Sequence, residues 1–137
     1  MSQLTMTKRH AGDVVILDLA GDICLGKGNI FLQQSLRALV EQNEKKVLLN
    51  LAKVSYIDSS GLGELVAGYT TMEKNGGELK LLNLTDRVTE LMMITKLLTV
   101  FDVFENEATA ISAFTQDSRD LTTGPLDANL VTIDATA

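Results

Sequence analysis

Residues 55–77 read SYIDSSGLGELVAGYTTMEKNGG, directly after the apolar run Val47, Leu48, Leu49 and Leu51. Leu62, Leu65, Val66, Tyr69 and Met72 recur at helical spacing, so one stripe of a helix over 61–74 can bury itself. Asn75-Gly76-Gly77 ends that helix, because Asn and Gly tolerate the left-handed conformation of a closing turn. At its start Asp58, Ser59 and Ser60 meet the unpaired amides and positive dipole end. Ser60 is expected to cap the amides of Leu62 or Gly63. Ser59 then stands one step outside the helix with a hydroxyl that folding does not require. Gly61 and Gly63 occupy the first turn, each at a cost of about 1 kcal/mol relative to Ala. Two readings stand: a capped helix whose glycines pack against a neighbour, or a modifiable serine displayed on a docking surface.

Outward from this stretch the elements alternate. Leu4, Met6 and Lys8 alternate with threonines in a first edge strand, and Gly12-Asp13 turns into an almost wholly apolar strand over 14–19. A continuous apolar run indicates burial on both faces of a sheet. A loop is expected over 21–29, then a helix over 30–43 with Leu32, Leu36, Leu39 and Val40 inward. Beyond the central helix come a strand over 79–82 and a helix capped by Thr85 or Asp86, with Val88, Leu91, Met92 and Thr95 inward. A strand over 100–104 and a helix over 107–114, burying Ala110, Ile111 and Phe114, close the pattern. This order predicts a single α/β domain over 1–115. Its mostly parallel sheet has about five strands and an antiparallel edge strand, covered by about four helices. The segment 116–137 holds the only proline and few apolar residues, and is expected to be a largely disordered tail; a further strand over 130–133 is the alternative for part of it.

Composition narrows function. The chain has 137 residues, with 18 acidic against 12 basic and a net charge of −6. That balance argues against nucleic acid and anionic membranes as partners. One cysteine excludes an intrachain disulfide, and with one histidine argues against a zinc site; no metal is expected. No apolar run approaches a membrane span, and the N-terminus does not resemble a signal peptide, so a cytoplasmic location is expected.

The run Asp58-Ser59-Ser60-Gly61-Leu62-Gly63, after a strand and opening a helix, resembles the signature of the STAS domain and specifically of the anti-sigma factor antagonists. The resemblance spans about residues 3–115. It implies a binding module rather than an enzyme, with no cofactor of its own. The implied partners are an anti-sigma factor with a kinase-like ATP-binding fold, which the unmodified protein binds, and a serine phosphatase. Ser59 is the implied phosphoacceptor, and its phosphorylation releases the partner. The implied docking surface comprises Asp22, Cys24, Asp58, Ser59, Ser60, Gly61, Leu62, Gly63 and Glu64. Met93, exposed by its helical phase, extends it as an adaptable contact. Antagonists often read Gly-Glu-Leu-Asp where this chain has Gly21-Asp22-Ile23-Cys24, so Cys24 stands where an aspartate lies near the phosphoacceptor. The alternative is a STAS subunit that docks constitutively in a lipid-transport ABC system or a sensory complex.

Other chemistries have weaker claims. Residues 21–28 nearly spell a phosphate-binding loop, but Gly28 stands where a Mg²⁺-binding hydroxyl is needed. Ser59 lacks the Gly-x-Ser-x-Gly elbow, since Ile57 precedes it by two, and His10 belongs to the distant hairpin. Cys24 is a redox-sensor candidate or a small buried apolar residue.

Overall fold

The computed structural model describes residues 3–114 and two short strands, Leu126–Asp127 and Asn129–Leu130, that pair with each other. Apart from those four positions, the expected tail over 116–137 and the strand expected over 130–133 lie outside the described residues. The main sheet has the order β1-β2-β3-β4-β5. Its strands are β1 (Thr5–Ala11), β2 (Val14–Ile23), β3 (Lys46–Ile57), β4 (Glu78–Leu82) and β5 (Val103–Phe104). Only β1 and β2 pair antiparallel, through the Gly12-Asp13 turn; the remaining pairs are parallel. The expected sheet is the observed one. Its helices are α1 (Lys27–Glu41), α2 (Ser59–Lys74), α3 (Asp86–Ile94) and α4 (Glu107–Ser112).

The two faces of the sheet are covered unequally. Val15, Leu17, Leu49, Leu51, Leu79 and Leu81 point to one side, where Leu32, Leu36 and Leu39 of α1, Leu65 and Met72 of α2, and Val88 and Met92 of α3 close the main core. Val14, Ile16, Leu48 and Leu82 point to the other, where α4's Ala110 and the following Phe114 cover them. Burial of a large aliphatic side chain contributes roughly 1.5–3 kcal/mol, so the first face dominates stability. Arg9 fastens the short α4 to the sheet, donating from Nε to Asp18 at 2.6 Å and from Nη2 to Glu107 at 2.6 Å. Lys80, almost buried, donates to Asp102 at 2.7 Å and lies over the Phe114 ring at 5.3 Å.

Several boundaries differ from the sequence expectation. Both central strands run further, β2 to Ile23 and β3 to Ile57, so 21–23 is strand rather than loop. The extension carries register shifts between Asp18 and Ala20 and between Gly21 and Asp22, a bulge that hides the simple alternation. Gly21 makes this possible. Its φ is +108°, and a side chain there would run into the Gln3 carbonyl. α1 begins three residues earlier than expected, at Lys27. The last strand shrinks from 100–104 to Val103–Phe104, because Leu97–Thr99 form a 3₁₀ turn. Phe101 is buried edge-on against Tyr69, their ring centres 5.4 Å apart. Thr85 rather than Asp86 caps α3, accepting from the Val88 amide. Thr95, expected inward, is exposed.

Candidate functional site

β2 and β3 end side by side at Ile23 and Ile57, and both chains then turn into helices at the same end of the sheet. Between the two turns sits Asp58. It holds the extended backbone of an N-cap, and its Oδ1 accepts from the Gly61 amide at 2.9 Å. Its Oδ2 accepts from the Leu25 amide at 3.0 Å, across on the β2–α1 turn. One carboxylate therefore satisfies an orphan donor of α2 and ties down the neighbouring loop. Those amides, that of Leu25 first, hold the Asp58 carboxyl below the usual carboxylate range against the opposing effect of burial.

This overturns the expectation that Ser60 caps α2. Asp58 takes that role, since the carboxylate accepts more strongly than a hydroxyl and reaches two amides at once. The helix thus starts at Ser59 rather than Gly61, and Ser59 is its first residue instead of standing outside. Ser59 is exposed and Ser60 half-buried. Among the described residues the Ser59 hydroxyl has no hydrogen-bond partner.

The two glycines of the first turn have different reasons. A side chain on Gly61 would strike the Ile23 carbonyl and come within 2.7 Å of Ile57 Cγ1 and 2.9 Å of Ile23 Cγ2. Gly61 is a packing glycine that brings α2 onto the end of β2. Gly63 faces open space, with nothing within 4 Å of where a Cβ would stand. Packing does not explain it.

Of the other residues singled out from sequence, Asp22 is half-buried and lies in register with Tyr56. Cys24 is buried at 8% exposure, and Leu62 is buried on the core side of α2. Burial first, then the nearby Asp58 and Asp22 charges, pushes the Cys24 thiol up, which is the opposite of what a reactive thiolate needs. Glu64 lines a groove between α1 and α2 together with Gln33 and Arg37 of α1. Met93 is exposed at 62% on α3, which packs on β3 and on the 3₁₀ turn. Asp58, Ser59, Ser60, Gly61 and Gly63 are thus brought together with the turn holding Asp22 and Cys24; Glu64 follows four residues after Ser60 on α2, and Met93 belongs to α3.

In residues 21–28 two backbone amides of the loop region are already engaged. Only Cys24, Leu25 and Gly26 lie between strand and helix. Asp58 occupies the Leu25 amide, and the Asn29 amide donates to the Cys24 carbonyl at 3.0 Å. Phosphate cradles need a run of converging, unoccupied amides. His10 pairs with Val15, beside the start of β3, whereas Ser59 follows its end, so a serine–histidine couple does not form.

Sequence reasoning missed the exposed apolar residues of this region. Leu25 is 76% exposed, Ile30 50% and Phe31 40%. Leu25 and Phe31 edge a cleft of about 690 Å³ between the start of β1 and the start of α1. The available signal was phase. Phe31 and Ile30 fall outside the Leu32, Leu36, Leu39 stripe that α1 buries.

Among the described residues no helix is long and apolar enough to cross a membrane, and no group of three or more His, Cys, Asp or Glu could hold a metal ion. Residues 5–110 match the family model of the STAS domain. The anti-sigma-B factor antagonist of Bacillus subtilis is 35% identical over 96 residues, covering 70% of this chain and 85% of that protein. Among solved structures, the anti-sigma factor antagonist SpoIIAA in its unphosphorylated form superposes with a TM-score of 0.61 at 18% identity, covering 79% of this chain and 96% of that one. A sulfate transporter family protein from Wolinella succinogenes gives 0.60 at 19% identity, covering 74% of this chain and 84% of that one.

Proposed function

The chain belongs to the STAS domain family, and from that premise we propose that it is an anti-sigma factor antagonist switched by phosphorylation of Ser59. Unmodified, it binds an anti-sigma factor with a kinase-like ATP-binding fold in the cytoplasm and thereby frees a sigma factor. The partner transfers the γ-phosphoryl group of its own ATP to the Ser59 hydroxyl, and a serine phosphatase later removes it. The chain itself catalyses nothing and holds no cofactor.

The observation that carries this reading is the division of labour at the start of α2. Asp58 caps the helix, so the exposed Ser59 hydroxyl has no structural task and stands open to a kinase. A phosphate there adds about −1.5 to −2 charges at pH 7. The helix dipole welcomes that charge, so the modified protein stays folded. The partner's surface does not, because the new charge stands beside the Asp58 carboxylate and must be desolvated on docking.

A second reading rests on Cys24. The loop beside Ser59 carries a buried thiol where antagonists often have an aspartate, which suits a STAS module that docks constitutively in a transport or sensory assembly. One experiment separates the two. The purified chain is incubated with the anti-sigma factor of the same cell and ATP, and its intact mass is followed. The antagonist reading expects one phosphate on Ser59 and loss of the complex. A stable complex with unmodified chain favours constitutive docking.

A further inference from the structure

Asn75-Gly76 is the one Asn-Gly pair of the sequence. In such a pair the backbone nitrogen of the glycine can attack the side-chain carbonyl carbon of the asparagine, because no Cβ shields it and glycine rotates freely. Both residues are exposed, so water reaches them. They close α2, where Asn75 is the C-cap and Gly76 turns the chain with a φ of +78°.

The folded turn holds both reacting groups. The Asn75 carboxamide donates from Nδ2 to the Thr71 carbonyl at 2.8 Å. The Gly76 amide donates to the Glu73 carbonyl at 3.1 Å, and the Gly77 amide to the Met72 carbonyl at 2.7 Å. Lys45 Nζ donates to the Asn75 carbonyl, which ties the turn to the segment entering β3. The Glu78 amide donates to the Lys45 carbonyl at 2.7 Å, so the exit of the turn is pinned to the same residue. Asn75 is held at φ −100° and ψ 16°. A five-membered ring through Asn75 Cγ and the Gly76 nitrogen needs that nitrogen on the Cβ side, far from this ψ. Ring closure therefore requires the Asn75 and Gly76 bonds to break and the backbone to rotate.

We infer that Asn75 is a site of spontaneous deamidation, gated by local opening of the last turn of α2, with Lys45 as the latch. When the turn opens, the Gly76 nitrogen bonds to Asn75 Cγ and loses its proton, the Cγ–Nδ2 bond breaks, and ammonia leaves. Water then opens the succinimide at either carbonyl, giving aspartate or isoaspartate. The balance is amide plus water to carboxylic acid plus ammonia, with nothing oxidised or reduced. The product cannot close the turn as before. Its carboxylate has no donor for the Thr71 carbonyl, and its charge stands at the negative end of the helix dipole. Isoaspartate also routes the backbone through the side-chain methylene. Repeated openings at the junction of α2 and β4 thus leave a permanent chemical mark, at the opposite end of the helix from Ser59.

Deamidation is followed on the full chain at mildly alkaline pH by peptide mapping, with isoaspartate read by methyltransferase labelling, beside a free peptide of residues 71–78. Asn75 in the chain is expected to convert about tenfold or more slowly than in the peptide, because reaction waits on the open turn. Lys45→Met, a change at an exposed residue, should raise the rate several-fold toward that of the peptide and leave the other asparagines unchanged. Urea below the unfolding transition should leave the rate nearly flat, since opening one turn exposes little surface. Conversion of the folded chain at the rate of the peptide, an unchanged rate in Lys45→Met, or a rate that climbs with urea in step with global unfolding each overturns the gate. Conversion of another asparagine ahead of Asn75 overturns the site itself.

Discussion

Removing the Asp58 carboxylate should destabilise the fold more than any other single change at the start of α2. Its Oδ1 bond to the Gly61 amide is an N-cap, worth about 1 kcal/mol. Its Oδ2 bond to the Leu25 amide is exposed but charge-assisted, which adds about 1–2 kcal/mol net. Asp58→Ala should therefore cost about 2–3 kcal/mol. Asp58→Asn keeps an acceptor for one amide and should cost about half as much. Ser60→Ala, which touches neither bond, should stay within about 0.5 kcal/mol. The pH dependence has a definite sign. The folded pKa of Asp58 is depressed by the two amides, so its contribution is full above the unfolded value of about 3.9 and is lost as pH falls through the lower folded value. The gap between wild type and Asp58→Asn should accordingly close below about pH 4. Urea unfolding followed by circular dichroism measures this. With a slope of about 1.5 kcal/mol per molar, Asp58→Ala should lower the midpoint by about 1.3–2 M at pH 7. A Ser60→Ala variant as unstable as Asp58→Ala would refute the assignment of the cap.

The two glycines of the same turn should respond in opposite directions. Gly61→Ala drives a methyl into the Ile23 carbonyl and the Ile57 side chain, and should lower the thermal midpoint by several degrees. Gly63→Ala meets open space in a helix and should stabilise by roughly 0.5–1 kcal/mol; if Gly63 serves docking, the gain comes with weaker partner binding in calorimetry. Glu107→Gln loosens the Arg9 link to α4. Because that pair is about two-fifths exposed, the cost should be under about 1 kcal/mol and should vanish in molar salt, read by urea midpoints at low and high ionic strength.

How much of this was legible before the coordinates depends on the element. The order of strands and helices was, because Leu32, Leu36 and Leu39 keep a helical phase and the residues 14–17 and 47–49 are unbroken apolar runs. The bulge at 18–22 was not, since a register shift leaves no periodic trace and Gly21 alone marks it. At the site, the exposed Ser59 and the acidic turn were legible from the hexapeptide. The cap was misassigned because Asp and Ser are near-equal N-cap residues, and only the Leu25 amide, 33 residues away in sequence, decides for Asp58. That tertiary bond is invisible to spacing, as is the cleft that Leu25 and Phe31 share with β1.

The claim that Ser59 carries the switch is tested most directly by calorimetric titration of the anti-sigma factor into wild type, Ser59→Ala and Ser59→Asp, with intact mass recorded after ATP. Our account predicts one phosphate on wild type and none on Ser59→Ala, equal affinity for those two before ATP, and about ten- to hundredfold weaker binding of Ser59→Asp, equivalent to about 1–3 kcal/mol. Phosphate persisting on Ser59→Ala, or undiminished binding by Ser59→Asp, would contradict it.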